Sequence, residues 1–308
     1  MVRRVNQALQ SHAVTVAEIS VDYRKQFAVE PGSKVQLSKI DASFTGKYES
    51  HEEVAAEIGN HVERMDKLQT LLYADGDKSL LVVLQALDAA GKDGVIRHVF
   101  RGMNPQGTFV FGFKQPNNYE ATHDFLWRAH LRTPSKGEVV IFNRSYYEDV
   151  LVVRVHKLVG HSVWSKRYDL INDFEAMLSL SGTTILKFFL HISPDEQLSR
   201  FKQRLDDPAR HWKISESDYS ERELWPDYMD AYADAIALTS TKHAPWYIIP
   251  ANHKWFRNLA VSQIIVDTLD EMGLRLPPTR VDIAGVRRKY HAAKRSGTGN
   301  GGRGTKRD

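Results

Sequence analysis

The residues of this chain best suited to binding phosphate lie in the segment ALDAAGKDG, residues 86–94. Small side chains let backbone N–H groups approach an anion closely, and a single lysine adds a positive charge within reach of it. The pattern departs twice from the common phosphate-loop sequence G-x-x-x-x-G-K-[ST], since Ala86 replaces the first glycine and Asp93 replaces the hydroxyl residue. A strand-to-helix turn with a solvated lysine is the alternative. The candidate phosphate-binding residues are Ala89, Ala90, Gly91, Lys92, Asp93 and Gly94.

A carboxylate inside the same loop needs an explanation, because it would repel a phosphate. Asp88 and Asp93 flank the Gly-Lys pair. A Mg²⁺ ion between carboxylate and phosphate removes the repulsion, and Mg²⁺ prefers oxygen ligands of this kind, directly or through water. The loop therefore predicts a magnesium site at Asp88 or Asp93.

A second group of polar residues follows the apolar run EVVIF, in the segment NRSYYED of residues 143–149. Arg144 could neutralise phosphate charge, while Glu148 and Asp149 could hold Mg²⁺ or orient an acceptor nucleotide. The alternative is a helix start with favourable acids in its first turn. Tyr146 and Tyr147 are interpreted as packing residues.

Further basic residues occur at three other places. Lys114 follows an apolar run, and Asp124 and Arg128 have the i, i+4 spacing of a helical surface ion pair, which we favour over a phosphate contact for Arg128.

The segment 199–228 resembles a mobile basic lid, although a solvated charged surface is the ordinary alternative. Its basic residues are Arg200, Lys202, Arg204, Arg210 and Lys213. Asn252, His253, Lys254 and Arg257 follow the last apolar run.

Five short apolar runs that alternate with helical patterns must position these residues. The runs predict buried parallel strands at 80–87, 107–113, 138–143, 183–193 and 244–251. The helical patterns cover 48–75, 119–131, 165–179, 194–205, 225–238 and 254–272. This alternation indicates an α/β fold with a parallel sheet covered on both faces, in which ligands bind at the carboxyl ends of the strands.

The composition excludes several classes of protein. The 308 residues include no cysteine, so disulfides and thiolate metal sites are absent, and the histidines lack zinc-ligand spacing. The net charge of +4 arises largely from the last residues, which argues against specific nucleic-acid binding by the body. The apolar runs are shorter than the ~18 residues of a membrane span, and no signal peptide is evident. We therefore expect a cytoplasmic protein without membrane contact.

Taken together, four segments resemble the polyphosphate kinase 2 family over residues 48–272. They are QALDAAGKDGVIRHV, the pair FKQP and HDFLWR, FNRSYYEDVLVVRVH, and ISPDEQLSRFKQRLDDPARHWKIS. The resemblance implies a P-loop kinase-like fold, similar to thymidylate kinase, with a helical lid. It also implies reversible transfer of the terminal phosphoryl group of inorganic polyphosphate to a nucleotide, with Mg²⁺ (or Mn²⁺ as a substitute). NRSYYEDVLVVR is similar to the branch that uses AMP and ADP.

The same resemblance assigns roles to residues at matching positions. It implies that Asp88 is the essential loop carboxylate and that Glu148 engages or deprotonates the AMP phosphate. Many members have Asp where this chain has Asn143, which shifts the expected metal ligands to Asp88 and Asp149. The implied catalytic residues are Asp88, Lys92, Arg144, Glu148 and Asp149. The implied phosphate- or nucleotide-binding residues, besides those of the loop, are Lys114, Arg128, Asn143, Arg204, Arg210 and Lys213.

The expected organisation has three parts. Residues 1–47 form an N-terminal extension, 48–275 the catalytic domain with a lid at about 199–225, and 276–308 a C-terminal extension that is disordered from about 291. The expected partners are polyphosphate and AMP or ADP, in a homo-oligomer (dimer or tetramer). Two other functions stay open: an ATP-dependent nucleoside or nucleotide kinase, and a polyanion-binding module that uses the basic tail.

Overall fold

A parallel sheet of five strands forms the centre of the protein, in a computed structural model that describes residues 21–297. The strands are β1 (Ser79–Gln85), β2 (Thr108–Gly112), β3 (Val139–Asn143), β4 (Thr183–His191) and β5 (Trp246–Pro250). Their spatial order is β2-β3-β1-β4-β5, and every neighbouring pair is parallel. The five predicted strands and their parallel pairing are confirmed.

Twelve α-helices accompany the sheet within the described part of the chain. They are α1 (Tyr23–Phe27), α2 (His51–Asp75), α3 (Lys92–Val99), α4 (Trp127–His130), α5 (Val152–Val155), α6 (His161–Trp164), α7 (Arg167–Leu180), α8 (Pro194–Asp206), α9 (Ser217–Glu223), α10 (Trp225–Thr239), α11 (Lys254–Glu271) and α12 (Ile283–Gly297). Short 3-10 helices add Leu37–Lys39, Phe100–Gly102, Glu120–Thr122, Tyr146–Asp149 and Pro208–Lys213.

The two faces of the sheet bury alternate residues of its strands. In β1, Leu80, Val82 and Leu84 pack into one core cluster with side chains of α2, α3 and α11. Leu81 and Val83 point the other way, into a second cluster with α7 and α10. A strand buried on both faces has apolar residues at successive positions rather than at every second one. For this reason β1 contains the continuous apolar run LLVV.

The two edges of the sheet differ. At the β5 edge, Ala28 forms an antiparallel bridge with Tyr247, and the Val29 N–H donates to the Trp246 carbonyl at 2.8 Å. At the opposite edge lies β2, whose Phe109 and Val110 are exposed. The chain before α2 therefore covers one edge of the sheet.

The predicted helix at 119–131 is wrong as a continuous element. A 3-10 turn (Glu120–Thr122) and the short α4 replace it. Side chains compete with helical bonding there, since Asn117 Oδ1 accepts from the Glu120 N–H at 2.9 Å and Asp124 Oδ1 accepts from the Leu126 N–H at 2.9 Å.

The described chain divides after Leu274 into a large unit and a second unit that begins at Arg275. The described part of the second unit contains α12, which includes residues 291–297. The expectation of disorder from about 291 is corrected for these residues, because Ala, Lys and Arg there favour helix. The rest of the expected tail, 298–308, lies outside the described residues, as do residues 1–20 of the predicted N-terminal extension. Between residues 21 and 297, no helix is long and apolar enough to cross a membrane.

Candidate active site

The predicted phosphate loop lies between the end of the central strand β1 and the start of α3. Ala89 and Gly91 adopt left-handed backbone conformations, with φ of +63° and +107°. A side chain at Gly91 would overlap the guanidinium of Arg257, so only glycine fits this position. The segment is thus a strand–loop–helix unit whose helix N-terminus faces the carboxyl edge of the sheet, where anions bind.

Lys92 is the first residue of α3, and its ammonium is buried beneath this loop. Its Nζ donates to the Ala86 carbonyl at 2.7 Å, and the residue is only 9% exposed. Burial lowers the pKa of Lys92, and the charge of Arg144 lowers it further, while Asp88 and Glu148 oppose the shift. An anion in the cavity would stabilise this ammonium.

Two hydrogen bonds connect the loop to the end of β3. Arg144 Nη2 donates to Asp88 Oδ1 at 2.9 Å, and Asn143 Nδ2 donates to Asp93 Oδ1 at 2.8 Å. Arg144 has a φ of +61°, a strained value for a residue with a side chain. The structure thereby brings the two predicted groups, loop and NRSYYED, into one site.

Glu148 lies near this site, in the 3-10 helix after β3, and interacts with the charges of Arg144 and Lys92 without lining the cavity itself. Burial raises the pKa of its carboxyl, while the nearby charges of Arg144 and Lys92 and a hydrogen bond with Gln85 partly oppose the shift. A carboxyl group with a raised pKa beside two cations is suited to binding or releasing a proton near a phosphate.

Asp149 and Arg128 do not line the cavity at this site. The Asp149 carboxylate lies between Arg167 Nη1 at 3.3 Å and Arg128 Nη2 at 3.9 Å. Arg128 also donates to the Lys114 carbonyl at 2.6 Å and pairs with Glu120 rather than with Asp124. The favoured surface pair is therefore wrong, and two arginines occupy the carboxylate that we expected to bind metal.

Two buried arginines support the loop from behind, and neither was among the predicted site residues. Arg200 Nη1 donates to the Ala89 and Ala90 carbonyls at 2.9 Å each, and Arg257 Nη1 donates to the Ala90 carbonyl at 3.2 Å. Burial lowers the pKa of Arg257 to about 9, with a further contribution from Arg200. The clue in the sequence was the position of Arg257 just after the last strand.

A cavity of about 1720 Å³ opens above the loop and has a strongly basic lining. Eleven lysines and arginines line it, against three carboxylates, from Asp88, Asp93 and Asp207. Six of the basic residues were predicted from the sequence: Lys92, Lys114, Arg144, Arg204, Arg210 and Lys213. The other five are Arg97, Arg101, Arg200, Lys254 and Arg257.

The segment predicted as a lid forms part of this lining. Arg204 pairs with Asp218 at 3.4 Å, and Arg210 pairs with Asp207 at 2.8 Å. Lys213 Nζ lies 4.8 Å from the ring centroid of Trp212, whose side chain is 78% exposed. Four of the five basic residues predicted for this segment line the cavity, all except Lys202, and the segment consists of α8, a 3-10 helix and α9.

A parallel sheet with a phosphate loop after its central strand, covered by a basic helical segment, defines a P-loop kinase-like fold. The family model "Polyphosphate kinase 2" matches residues 48–277. The chain is 51% identical over 254 residues to the AMP/ADP-polyphosphate phosphotransferase of Meiothermus ruber, covering 82% of this chain and 95% of that protein.

Two further comparisons agree with this match. The ADP-polyphosphate phosphotransferase of Rhodopseudomonas palustris is 46% identical over 267 residues, which cover 83% of this chain and 92% of that protein. The crystal structure of polyphosphate kinase 2 from Arthrobacter aurescens TC1 superimposes with a TM-score of 0.86 at 41% identity, covering 91% of this chain and 100% of that one. This chain belongs to the polyphosphate kinase 2 family.

Proposed function

We propose that this protein transfers the terminal phosphoryl group of inorganic polyphosphate to AMP and ADP, reversibly. The observation that carries the proposal is the charge of the cavity, with eleven basic side chains against three carboxylates in about 1720 Å³. Small-ligand pockets usually have about 300–1,000 Å³, so this cavity has room for a second, highly charged phosphate chain beside a nucleotide. The names of the relatives from Meiothermus ruber and Rhodopseudomonas palustris support the same substrates.

The reaction needs positioning and neutralisation of charge rather than a covalent nucleophile. A phosphate oxygen of AMP or ADP attacks the terminal phosphorus of polyphosphate in line, and the bond to the next bridging oxygen breaks. Lys92 and Arg144 stabilise the negative charge that spreads over the transferred group. Arg204, Arg210 and Lys213 close over the chain and exclude water.

The carboxylates at the loop fit a divalent cation, which we propose to be Mg²⁺. Asp88 and Asp93 both line the cavity, whereas residues 21–297 contain no cluster of three or more acidic, histidine or cysteine side chains that could hold a metal alone. Mg²⁺ commonly takes one or two carboxylates and completes its shell with phosphate oxygens and water. Bound there, it would neutralise phosphate charge. Since Asp149 pairs with two arginines and does not line the cavity, whereas Asp88 and Asp93 do line it, we assign the ligand role to Asp88 and Asp93.

Glu148 is proposed to act on the acceptor. AMP carries a phosphate whose last proton is lost near neutral pH, and a carboxylate beside it can accept that proton or bind it. Burial raises the pKa of Glu148 toward the range in which such exchange is efficient. The homo-oligomeric state and the cytoplasmic location stay predictions from the sequence.

The test is an assay of the purified protein with AMP or ADP as acceptor and either polyphosphate or ATP as donor. Product formation with polyphosphate and Mg²⁺ supports the proposal. Phosphorylation of AMP by ATP alone, without turnover of polyphosphate, would identify an ATP-dependent nucleotide kinase instead.

A further inference from the structure

A buried ion pair lies beneath the active site, at some remove from the cavity. Glu175 of α7 and Lys187 of β4 approach to 2.6 Å between Oε2 and Nζ, and both side chains are completely buried. Neither residue lines the cavity. Charged side chains are rarely buried completely, because removing a charge from water costs free energy even when it is paired. The contacts that this pair makes indicate what it contributes.

The carboxylate of this pair binds the two tyrosines that precede Glu148. The hydroxyls of Tyr146 and Tyr147 each lie 2.8 Å from Glu175 Oε1, as donors. Lys187 Nζ donates to the Tyr147 hydroxyl at 3.0 Å. Both tyrosines are fully buried, as the sequence predicted. The ion pair therefore fixes both side chains of the 3-10 turn.

The ammonium of the pair also binds the end of α10. Lys187 Nζ donates to the Thr239 carbonyl at 2.6 Å, so a positive charge lies at a helix C-terminus, where it is favourable. The Trp246 indole donates to Thr239 Oγ1 at 2.9 Å. The pair thus connects the turn to α7, β4, α10 and β5, the rigid elements of one sheet face.

The fixed turn lies between two residues of the site. Arg144, which binds Asp88, comes directly before Ser145 and the tyrosines, and Glu148 follows them. Gln85 Nε2 donates to the Ser145 hydroxyl at 3.2 Å. Because Arg144 has a φ of +61°, its strained backbone persists only if the residues around it are firmly held.

Stability alone does not account for the pair, since buried ion pairs can often be replaced by apolar residues of similar size without loss of stability. We propose that Glu175 and Lys187 are positioning residues, which hold Tyr146 and Tyr147 so that Arg144 and Glu148 meet at the phosphate loop. Their effect on catalysis rests on the proposed function, whereas their effect on the turn does not.

The first test uses amide hydrogen exchange and needs no activity. In the double variant Glu175→Leu/Lys187→Met, the amides of residues 144–150 should exchange about tenfold faster, while those of β1 should keep their protection. Unchanged exchange at 144–150 in a folded variant would overturn the proposal. If the double variant does not fold, Tyr146→Phe, which removes one bond to Glu175 and keeps the ion pair, carries the same test in a milder form.

A matched control lies at the amino end of β4, the strand that carries Lys187. The hydroxyls of Ser79 in β1 and Thr183 in β4 form a buried hydrogen bond at 3.0 Å, at the amino ends of the strands. Ser79→Ala/Thr183→Val also replaces a buried polar pair by apolar groups. Exchange at 144–150 and the catalytic rate should both stay as in the wild type.

The second test is a double-mutant cycle with Glu148→Gln. The Glu175→Leu/Lys187→Met change should lower kcat about tenfold in the wild-type background, with little change in KM. In the Glu148→Gln background the same change should lower kcat by clearly less than tenfold, because one of the two residues that the pair positions is already gone. If the two changes lowered kcat independently, so that their factors multiplied in the combined variant, the proposed positioning of Glu148 for catalysis would be overturned. A wild type without polyphosphate turnover would refute the proposed function, and hydrogen exchange would then decide the inference.

Discussion

Lys92 and Lys187 are both buried lysines at the sheet, and they differ in what surrounds the ammonium. Lys187 is completely buried and reaches three partners of the protein: a carboxylate, a hydroxyl and a carbonyl. Lys92, 9% exposed, donates to one carbonyl, and the charge with the largest effect on its pKa is the cation of Arg144. Burial lowers the pKa of both.

The difference shows how a buried charge with a structural role can be distinguished from one that binds ligand. The protein supplies three hydrogen-bond partners for Lys187, so its ammonium has no donor left for a substrate and instead links structural elements. The protein supplies one carbonyl for Lys92, which lines the cavity. Burial of this ammonium therefore costs folding free energy that a bound anion can restore. Asp149 and Asp88 differ in a related way: Asp149 pairs with two arginines and does not line the cavity, whereas Asp88 pairs with Arg144 and does line it.

Lys92→Met should produce the largest loss of activity. Removal of the ammonium next to the transferred group should lower kcat by about 10³-fold, the upper range for one electrostatic contact. Because burial lowers the pKa of Lys92, its charge destabilises the folded state at neutral pH, so the melting temperature should stay the same or rise. Steady-state kinetics and thermal denaturation check both parts. If Lys92→Met markedly lowered the melting temperature, Lys92 would have a structural role like that of Lys187, and the difference between the two lysines would be refuted.

Lys187→Met should have the opposite profile. It leaves the Glu175 carboxylate buried without a cation, which should lower the free energy of unfolding by about 3–5 kcal/mol. Urea denaturation measures this loss. The control is Glu175→Leu/Lys187→Met, in which most of the stability should return. If Lys187→Met alone unfolds at the wild-type urea concentration, the ion pair has no structural importance.

The two carboxylates give the next comparison. Asp88→Asn should lower ATP formation from ADP by about 10²-fold and raise the Mg²⁺ concentration needed for half-maximal rate, because the carboxylate that neutralises the cation is lost. Asp149→Asn, the matched control, should leave the Mg²⁺ dependence unchanged, since Asp149 pairs with Arg128 and Arg167. A titration of the rate of both variants with Mg²⁺ decides which of the two carboxylates binds the metal. Full activity of Asp88→Asn would refute the assigned metal ligand.

Glu148→Gln should have the smallest effect, a loss of about tenfold in rate with AMP. A carboxyl whose pKa is raised on folding binds its proton more tightly in the folded state, so its ionised form destabilises that state above the raised pKa. At neutral pH the variant should therefore be more stable than the wild type, as measured by urea denaturation. This gain should disappear as the pH falls through the raised pKa, where Glu148 itself becomes neutral.

The pH dependence of the rate gives a separate check on Glu148. The wild-type rate should fall as the pH decreases through the raised pKa, and the variant should lack this decline. If the rate of both proteins declined in the same way at low pH, the decline would be due to the titration of another group.

The sheet was predictable because its strands are buried on both faces, which leaves continuous apolar runs such as LLVV and VVIF in the sequence. The helix expected at 119–131 was not, because the apolar spacing there competes with local bonds from Asn117 and Asp124 to the backbone. Side chains that bond to nearby N–H groups interrupt a helix without altering its hydrophobic pattern.

The site was predictable where residues lie at or shortly after the carboxyl end of a strand, as Asp88, Asn143 and Arg144 do, or begin the helix that follows, as Lys92 does. Its other half depends on distant elements. Asp149 has the same local pattern as a metal ligand, but arginines from two other helices occupy it. Arg257 comes from α11, and only the fold places its guanidinium behind Gly91. Contacts of this kind leave no local pattern in a single sequence.

Phosphoryl transfer from polyphosphate can be followed by ³¹P NMR of the purified protein with ADP, Mg²⁺ and polyphosphate, with Lys92→Met measured under the same conditions. We expect the γ-phosphate signal of ATP to grow while the internal polyphosphate signal declines, and we expect the variant to produce almost no ATP. No ATP formation by the wild type, or equal formation by Lys92→Met, would contradict this expectation.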